Sequence, residues 1–226
     1  MLLPRNAHHS AIQACILGGL IPAWIPVRQR KDGYCYIAQE DVLTTLQMHP
    51  EAKTLLLTRP DYFGGCIPLE EIISCAHSLG IKVAVDEAHG AHLPWMESPS
   101  SAGPLGVDGW VQSVHKTLPG LTGCAVLHLR DAADKSAALR ICRREQTSSP
   151  SFLFMQAIDD ARAWMDAHPH RLADCVQAVQ QVQRALPSLG YADAHALWQE
   201  TGLDFDPSRL VIHAPQGGQA LSDSLQ

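Results

Sequence analysis

The sequence predicts an α/β protein in which a mostly parallel β-sheet is covered by helices on both faces. Apolar runs of strand length alternate with segments of helical length through most of the chain. These runs are nearly continuous in apolar residues, which is typical of strands that are buried on both faces. The 226 residues, 46% of them hydrophobic and 18% charged, are sufficient for a substantial folded core.

The elements follow one another in a regular order. We expect a helix over residues 7–18, a strand over 20–27, a helix over 38–48 and a strand over 53–58. A third helix is expected over 68–79, because Pro68 suits a first turn and Gly80 suits a helix end. Glu70 and Glu71 favour the positive end of its dipole. Strands are then expected over 81–86, 110–114 and 124–129, and helices over 133–143, 150–166 and 170–186.

Bulk properties exclude several classes of protein. The net charge of −6 gives no reason to expect a nucleic-acid partner. Residues 11–26 are apolar, but Pro22, Pro26 and the lack of a basic leader argue against a membrane span or signal peptide. The seven cysteines include no C-x-x-C pair. They indicate free thiols in a reducing compartment, so we predict a cytoplasmic protein without membrane partners.

A D-E-A-H string at residues 86–89 follows one predicted strand, and His115 and Lys116 follow the next. Ligands of parallel sheets bind outside the carboxyl ends of the strands, so we expect these residues to face one cavity. A nucleotide-hydrolysing site would also need a G-x-x-x-x-G-K-[ST] loop, which the chain lacks. A metal site formed by Asp86, His89 and His92 is an alternative, although no further ligand is evident.

Asp86 and Lys116 together suggest another chemistry. A lysine in an apolar setting has a lowered pKa and becomes a nucleophilic amine. Pyridoxal phosphate (PLP) enzymes need such a lysine, together with a carboxylate that pairs with the ring nitrogen of the cofactor. Ser113 and His115 could donate hydrogen bonds to its phosphate. Lys116 could equally extend from a strand end into solvent, and spacing alone does not decide between these interpretations.

Four blocks of sequence carry a resemblance to a known family. They are P-R-N-A-H-H-S at 4–10, V-D-E-A-H-G-A-H at 85–92, Q-S-V-H-K-T-L-P-G-L-T at 112–122 and Q-T-S-S-P-S-F at 146–152. Together they resemble the major domain of the PLP-dependent ornithine/lysine/arginine decarboxylases, which have the aspartate aminotransferase fold type. R-P-D-Y-F-G-G at 59–65 is a weaker match, to the family's Asn-Pro-x-Tyr-x-Gly turn. The resemblance extends over residues 2–165.

The resemblance implies roles for individual residues and no metal. Lys116 would bind PLP covalently, Asp86 would pair with its ring nitrogen, and His8 would stack on the ring. Ser113 and His115 would contact the phosphate, and His89 would lie near the ring and the substrate. The sequence departs from the family pattern at three positions, with His9, Gly123 and Phe152 in place of Lys, Gln and Tyr.

The resemblance also implies a domain organisation and an activity. Residues 1–165 would form the PLP-binding major domain without its N-terminal phosphate-loop segment. Residues 166–226 would form a helical connection and the start of a small C-terminal domain, with its first strand in 203–215. We expect a homodimer or larger assembly that decarboxylates lysine, arginine or ornithine. An aminotransferase, an α-oxoamine synthase, or an inactive remnant or scaffold subunit are the alternatives.

Overall fold

The computed structural model describes residues 1–224, which form one main sheet with surrounding helices and three two-stranded sheets. The strands are β1 (Leu2–Pro4), β2 (Ala23–Ile25), β3 (Arg28–Gln29), β4 (Cys35–Tyr36), β5 (Thr54–Thr58), β6 (Gly65–Cys66), β7 (Lys82–Asp86), β8 (Gly109–Ser113), β9 (Ala125–Leu129), β10 (Ala192–Asp193), β11 (Asp204–Phe205) and β12 (Ile212–His213). The helices are α1 (His9–Gly18), α2 (Gln39–Met48), α3 (Glu70–Ser78), α4 (Ala102–Leu105), α5 (Val114–Thr117), α6 (Ala132–Glu145), α7 (Phe152–Ala167), α8 (His170–Ala185), α9 (Ala194–Leu197) and α10 (Gly218–Ser224).

The main sheet confirms the predicted α/β class. Its six strands are ordered β2-β1-β5-β7-β8-β9, and the first five strands in that order run parallel. Only β9 is antiparallel, to β8. The short connection between them, which contains α5, lacks the long crossover that a parallel return requires. The strands expected over 53–58, 81–86, 110–114 and 124–129 are all present.

Helices cover both faces of the sheet because neighbouring residues of its strands point in opposite directions. Leu2 packs in the large core cluster with Val42 of α2 and Ile72 of α3. Leu3, the next residue, packs instead against Ala11 of α1 in a second cluster. Both leucines are fully buried. The alternation of side chains along β1 therefore supplies apolar residues to both faces of the sheet.

Three parts of the fold differ from the sequence-based expectation. No strand was expected at the N-terminus, yet β1 lies inside the sheet between β2 and β5. The strand expected over 20–27 is limited to Ala23–Ile25, because Arg28 and Gln29 pair with β4 in a hairpin. The prediction of a single strand over 203–215 is wrong. This segment contains two short strands in different sheets, since β11 pairs with β6 and β12 pairs with β10. The division of the chain at residue 165 stays a prediction.

The apolar N-terminal stretch and the cysteines have simple structural roles. Residues 11–26 contribute to α1 and β2, and no helix within residues 1–224 is long and apolar enough to cross a membrane. The seven cysteines are free thiols, of which Cys15, Cys66 and Cys124 are buried. Burial raises the pKa of the Cys66 thiol to about 12, so this thiol stays protonated at neutral pH.

Candidate active site

A cavity of about 500 Å³ lies where three parallel strands end. The register aligns Thr58 of β5 with Asp86 of β7, and Asp86 with Val111 of β8. These three residues line the cavity, as the position of ligands in parallel sheets predicts. The other lining residues are Asn6, His8, Ser10, Cys35, Ile37, Asp61, Tyr62, Phe63, Gly65, Ile67, Ala88, His89, Ser113, Lys116 and Leu203.

Lys116 reaches the cavity from α5, the short helix that follows β8. Its Nζ lies 3.3 Å from Nε2 of His89. Burial and the positive charge of Lys116 lower the pKa of His89 to about 4. His89 is therefore neutral at neutral pH and can accept a hydrogen bond from the Lys116 ammonium group, which has only donors. The two residues from separate sequence blocks form one polar pair.

The two acids of the D-E-A-H string have different surroundings. Asp86 lines the cavity, and its Oδ1 accepts a hydrogen bond from the Ala88 amide at 3.1 Å. Glu87 is fully buried and accepts hydrogen bonds from Ser101 Oγ, the Ala102 amide and Gln112 Nε2, at 2.6 to 2.8 Å. Burial raises the pKa of Glu87. Asp86 is thus available to a ligand, whereas Glu87 ties the end of β7 to α4 and β8.

His8, near the N-terminus of the chain, also lines this cavity. It caps the N-terminus of α1, and its Nδ1 lies 2.8 Å from Oγ of Ser10. Both residues line the cavity. Because β1 is parallel to β5, the loop after β1 emerges at the edge of the sheet where β5 and β7 end. The strand that sequence analysis missed is what places His8 here.

Ser113 and His115 do not share one environment. Ser113, the last residue of β8, lines the cavity. His115 is absent from the cavity lining, and its Nδ1 lies 3.1 Å from the carbonyl oxygen of Cys124. The structure therefore brings together five of the six predicted site residues. The phosphate contact of His115 stays a prediction without support from this geometry.

The alternative metal site is not assembled. His92 is buried away from the cavity lining, and its Nε2 lies 3.0 Å from Oδ2 of Asp206. Within residues 1–224, no group of three or more His, Cys, Asp or Glu side chains is arranged to hold a metal ion. His92 instead connects the turn after β7 with the chain after β11.

The residues of the R-P-D-Y-F-G-G block carry no predicted role, yet Asp61, Tyr62, Phe63 and Gly65 all line the cavity. Oδ1 of Asp61 accepts hydrogen bonds from the amides of Phe63 and Gly65, both at 2.8 Å. Oδ2 accepts a hydrogen bond from the Tyr34 hydroxyl at 2.6 Å. A Cβ on residue 65 would lie 2.5 Å from that hydroxyl, so glycine is required there. The similarity of the block to the family's turn was the available signal.

The C-terminal part of the chain completes one wall of the cavity. Leu203 lines it, and the next two residues form β11, which pairs with β6. The Asp206 amide donates a hydrogen bond to the Gly64 carbonyl at 2.9 Å. Residues 203–206 therefore support the loop that carries Asp61.

Comparison with known proteins agrees with this arrangement of residues. The sequence profile described as "Orn/Lys/Arg decarboxylase, major domain" matches residues 1–213. The chain belongs to the Orn/Lys/Arg decarboxylase family. Enzymes of this family depend on PLP. One solved structure of similar fold, a putative aminotransferase from Clostridium difficile described as PLP-bound, gives a TM-score of 0.55 and 11% identity, over 82% of this chain and 51% of that protein.

Two relatives from Bacillus subtilis illustrate the family relationship. An uncharacterised protein, YaaO, is 36% identical over 224 residues, covering 96% of this chain and 46% of the relative. An arginine decarboxylase is 31% identical over 220 residues, covering 94% of this chain and 45% of the relative. The chain thus spans about half the length of the curated relatives it matches.

Solved structures share the fold at lower identity. The constitutive lysine decarboxylase of Escherichia coli superposes with a TM-score of 0.69 and 17% identity, over 85% of this chain and 30% of that enzyme. N-succinyldiaminopimelate aminotransferase from Mycobacterium tuberculosis gives a TM-score of 0.64 and 18% identity, over 93% of this chain and 53% of that enzyme. These likenesses support the fold and do not discriminate between the two reactions.

Proposed function

We propose that this chain carries the cofactor site of a PLP-dependent decarboxylase that converts lysine, arginine or ornithine to the corresponding amine and carbon dioxide. One observation carries the proposal: Lys116 and Asp86, from separate sequence blocks, line the same cavity at the ends of β7 and β8. Membership of the Orn/Lys/Arg decarboxylase family supports the reaction and the class of substrate.

The residues present fit PLP in chemical type. The cofactor needs an amine for covalent attachment and a carboxylate for its ring nitrogen, and the cavity offers Lys116 and Asp86. Ser113 and His8 also line the cavity, where the Ser113 hydroxyl could bind the phosphate and the His8 ring could contact the cofactor ring. The cavity volume of about 500 Å³ lies within the usual range of small-molecule sites.

The side chains divide the chemical work. Bound PLP supplies an electron sink for the bond that breaks at the α-carbon of the substrate. The Asp86 carboxylate would pair with the ring nitrogen and favour its protonated form, and the amine of Lys116 would hold the cofactor covalently. Burial and the neighbouring Lys116 lower the pKa of His89 to about 4, so the His89 ring holds a proton poorly at neutral pH. We therefore assign His89 to orienting Lys116 and the substrate rather than to storing a proton.

Association with a second copy is part of the proposal. On and after α1, Ile16, Leu17 and Ile21 are 74%, 70% and 88% exposed. Exposure of several large apolar side chains close together in sequence is unfavourable in water and is typical of a contact surface. We propose that a homodimer or larger assembly covers it. The cytoplasmic location that the free cysteines suggest stays a prediction.

A covalent labelling experiment tests the cofactor site. The purified chain is incubated with PLP, reduced with borohydride and mapped by mass spectrometry. We expect the reduced adduct on Lys116, loss of the adduct in Lys116→Ala, and no loss in the control Lys135→Ala, which changes an exposed lysine of α6. Labelling spread over surface lysines, with none preferred at residue 116, would contradict the proposal.

A second measurement separates the candidate reactions. Carbon dioxide release from lysine, arginine and ornithine identifies a decarboxylase, and amino transfer that depends on a keto acid identifies an aminotransferase. The similar fold of N-succinyldiaminopimelate aminotransferase is the observation that keeps the second reaction as an alternative. Covalent PLP without either reaction would favour a scaffold subunit.

A further inference from the structure

Two carboxylates line the cavity, and the proposed function uses only one of them. Asp86 is assigned to the cofactor ring, whereas Asp61 also lines the cavity and has no assigned role in the proposed function. Asp61 follows β5, the strand next to β7, so both acids lie at the same edge of the sheet. A cavity for a basic amino acid needs a group that recognises the distal positive charge. Among residues 1–224, Asp61 is the remaining acidic side chain that lines the cavity.

Asp61 is a carboxylate without a cationic partner among its hydrogen-bond donors. These donors are the amides of Phe63 and Gly65 and the hydroxyl of Tyr34, and all are neutral. A carboxylate can accept about four hydrogen bonds, so a site on Oδ2 is left after the bond from Tyr34. The charge and the open acceptor site suit an ammonium or guanidinium group.

The electrostatic state of Asp61 supports the same conclusion. Burial outweighs its hydrogen bonds and raises the pKa of the carboxyl group. His195 offsets this effect only in part, and its Nε2 lies 2.8 Å from the Phe63 carbonyl oxygen. The negative charge is therefore incompletely compensated within the chain. A bound cation would compensate it further.

Aromatic rings beside Asp61 favour the same ligand. Tyr62 and Phe63 line the cavity next to it in sequence, and both rings are partly exposed. Ring faces attract ammonium and guanidinium groups, by about 0.5–2 kcal/mol. A carboxylate flanked by aromatic rings is a combination that favours a cationic side chain over a neutral one of equal size.

We propose that Asp61 binds the distal ammonium or guanidinium group of the amino acid substrate and so determines the preference for basic side chains. The inference rests on the proposed function, because it assumes that the α-amino end of the substrate reacts at Lys116. It assigns to the R-P-D-Y-F-G-G block a specificity-determining role in addition to its role as a turn.

Asp61→Asn is a suitable test because it removes the charge and can keep the turn. The Asn Oδ1 can accept the hydrogen bonds from residues 63 and 65, and its Nδ2 can donate to the Tyr34 oxygen. Asp131→Asn is the matched control, because Asp131 also accepts a backbone amide, that of Ala133 at 2.8 Å, but lies outside the cavity. Thermal unfolding checks that both variants fold.

Calorimetric binding of arginine and its uncharged analogue citrulline measures the charge preference, with and without PLP on the chain. We expect Asp61→Asn to weaken arginine binding about 10-fold or more, as for loss of a hydrogen bond to a charged group, and to change citrulline binding little. The control should retain the preference. If the Asn variant does not fold, ¹³C-carboxyl spectra of the unaltered chain replace it, and arginine but not citrulline should lower the pKa of Asp61.

The outcomes separate this inference from the proposed function. Absence of the Lys116 adduct would refute the cofactor site, whatever the ligand preference. An adduct at Lys116, together with equal losses of arginine and citrulline binding in Asp61→Asn, would overturn only the role of Asp61. The role of Asp61 would also be overturned if the unaltered chain bound arginine and citrulline equally, both with and without PLP.

Discussion

The buried pair of His92 and Asp206 offers the sharpest test of how the cavity wall is held. The His92 ring is 2% exposed and Asp206 is 1% exposed. Nε2 of His92 lies 3.0 Å from Asp206 Oδ2 and 3.2 Å from Ser208 Oγ. His92→Leu leaves the Asp206 carboxylate buried, with Ser208 as its remaining side-chain donor at 2.6 Å.

The expected loss follows from two opposing effects. Leaving the buried Asp206 carboxylate without the His92 side chain costs about 3–5 kcal/mol, as for a buried charge that loses its partner. Leucine also removes Nδ1 of His92, which is buried and has no hydrogen-bond partner within residues 1–224, and relief of that penalty recovers about 1 kcal/mol. We therefore expect the free energy of unfolding to fall by about 2–4 kcal/mol. For a chain of this size, this lowers the melting temperature by roughly 4–16 °C.

The pH dependence of the loss gives a second check. Burial opposes the charge of Asp206, but hydrogen bonds from His92 and Ser208 outweigh it and lower the pKa of the carboxyl group. Such a group stabilises the fold above its unfolded pKa of about 3.9, and the contribution is lost as pH falls through the folded pKa. The difference between His92→Leu and the unaltered chain should therefore shrink in acid.

Urea unfolding of His92→Leu, Asp206→Asn and the double variant measures the coupling of the pair. Ser208→Ala serves as a control that removes a neighbouring donor and keeps the pair. A loss below about 1 kcal/mol in His92→Leu, or strictly additive losses in the double variant, would show that the buried contact between His92 and Asp206 contributes little to stability.

Three other predictions follow from single contacts. Glu87→Gln should lower the free energy of unfolding by about 1–3 kcal/mol in urea titrations, because the Gln NH₂ group would face a hydrogen-bond donor that the carboxylate accepts from; an unchanged midpoint would contradict this. Lys116→Met should raise the pKa of His89 in an NMR titration from about 4 to a value still below 6.5, because burial remains; a constant pKa would exclude the contact. Ile16→Lys with Ile21→Lys should yield monomers by light scattering, and an unaltered chain that is already monomeric would refute the proposed assembly.

The part of the fold that was predictable is the part with a local signal. The runs that became β5 and β7 are apolar, bounded and long enough to stand out, and α3 has acidic residues at its start and a glycine, Gly80, just past its end. By contrast, β1 has three residues and ends at Pro4, so neither length nor periodicity marks it as a strand. The pairs β3–β4 and β6–β11 have two residues per strand, and their existence depends on partners elsewhere in the chain.

The candidate site divides in the same way. Asp86 and Lys116 were predictable because strand ends in a parallel sheet meet at one edge. His115 was placed with them because it precedes Lys116, but a short helix turns neighbouring side chains in different directions, and its ring lies by the Cys124 carbonyl. Asp61 was missed because its orientation depends on the hydroxyl of Tyr34, which directly precedes β4, and on the absence of a side chain at Gly65.

The adjacent acids of the D-E-A-H string show why position decides function more than residue type. Along β7, Val83 and Val85 point into the core, and Glu87 continues their side of the strand. Asp86, one residue earlier, has the opposite parity and reaches the cavity. Three hydrogen-bond donors occupy Glu87, so it is unavailable to a ligand, whereas Asp86 has one backbone donor and open acceptor positions. A shift of the strand register by one residue would exchange the two acids and bury the carboxylate that the proposed cofactor needs.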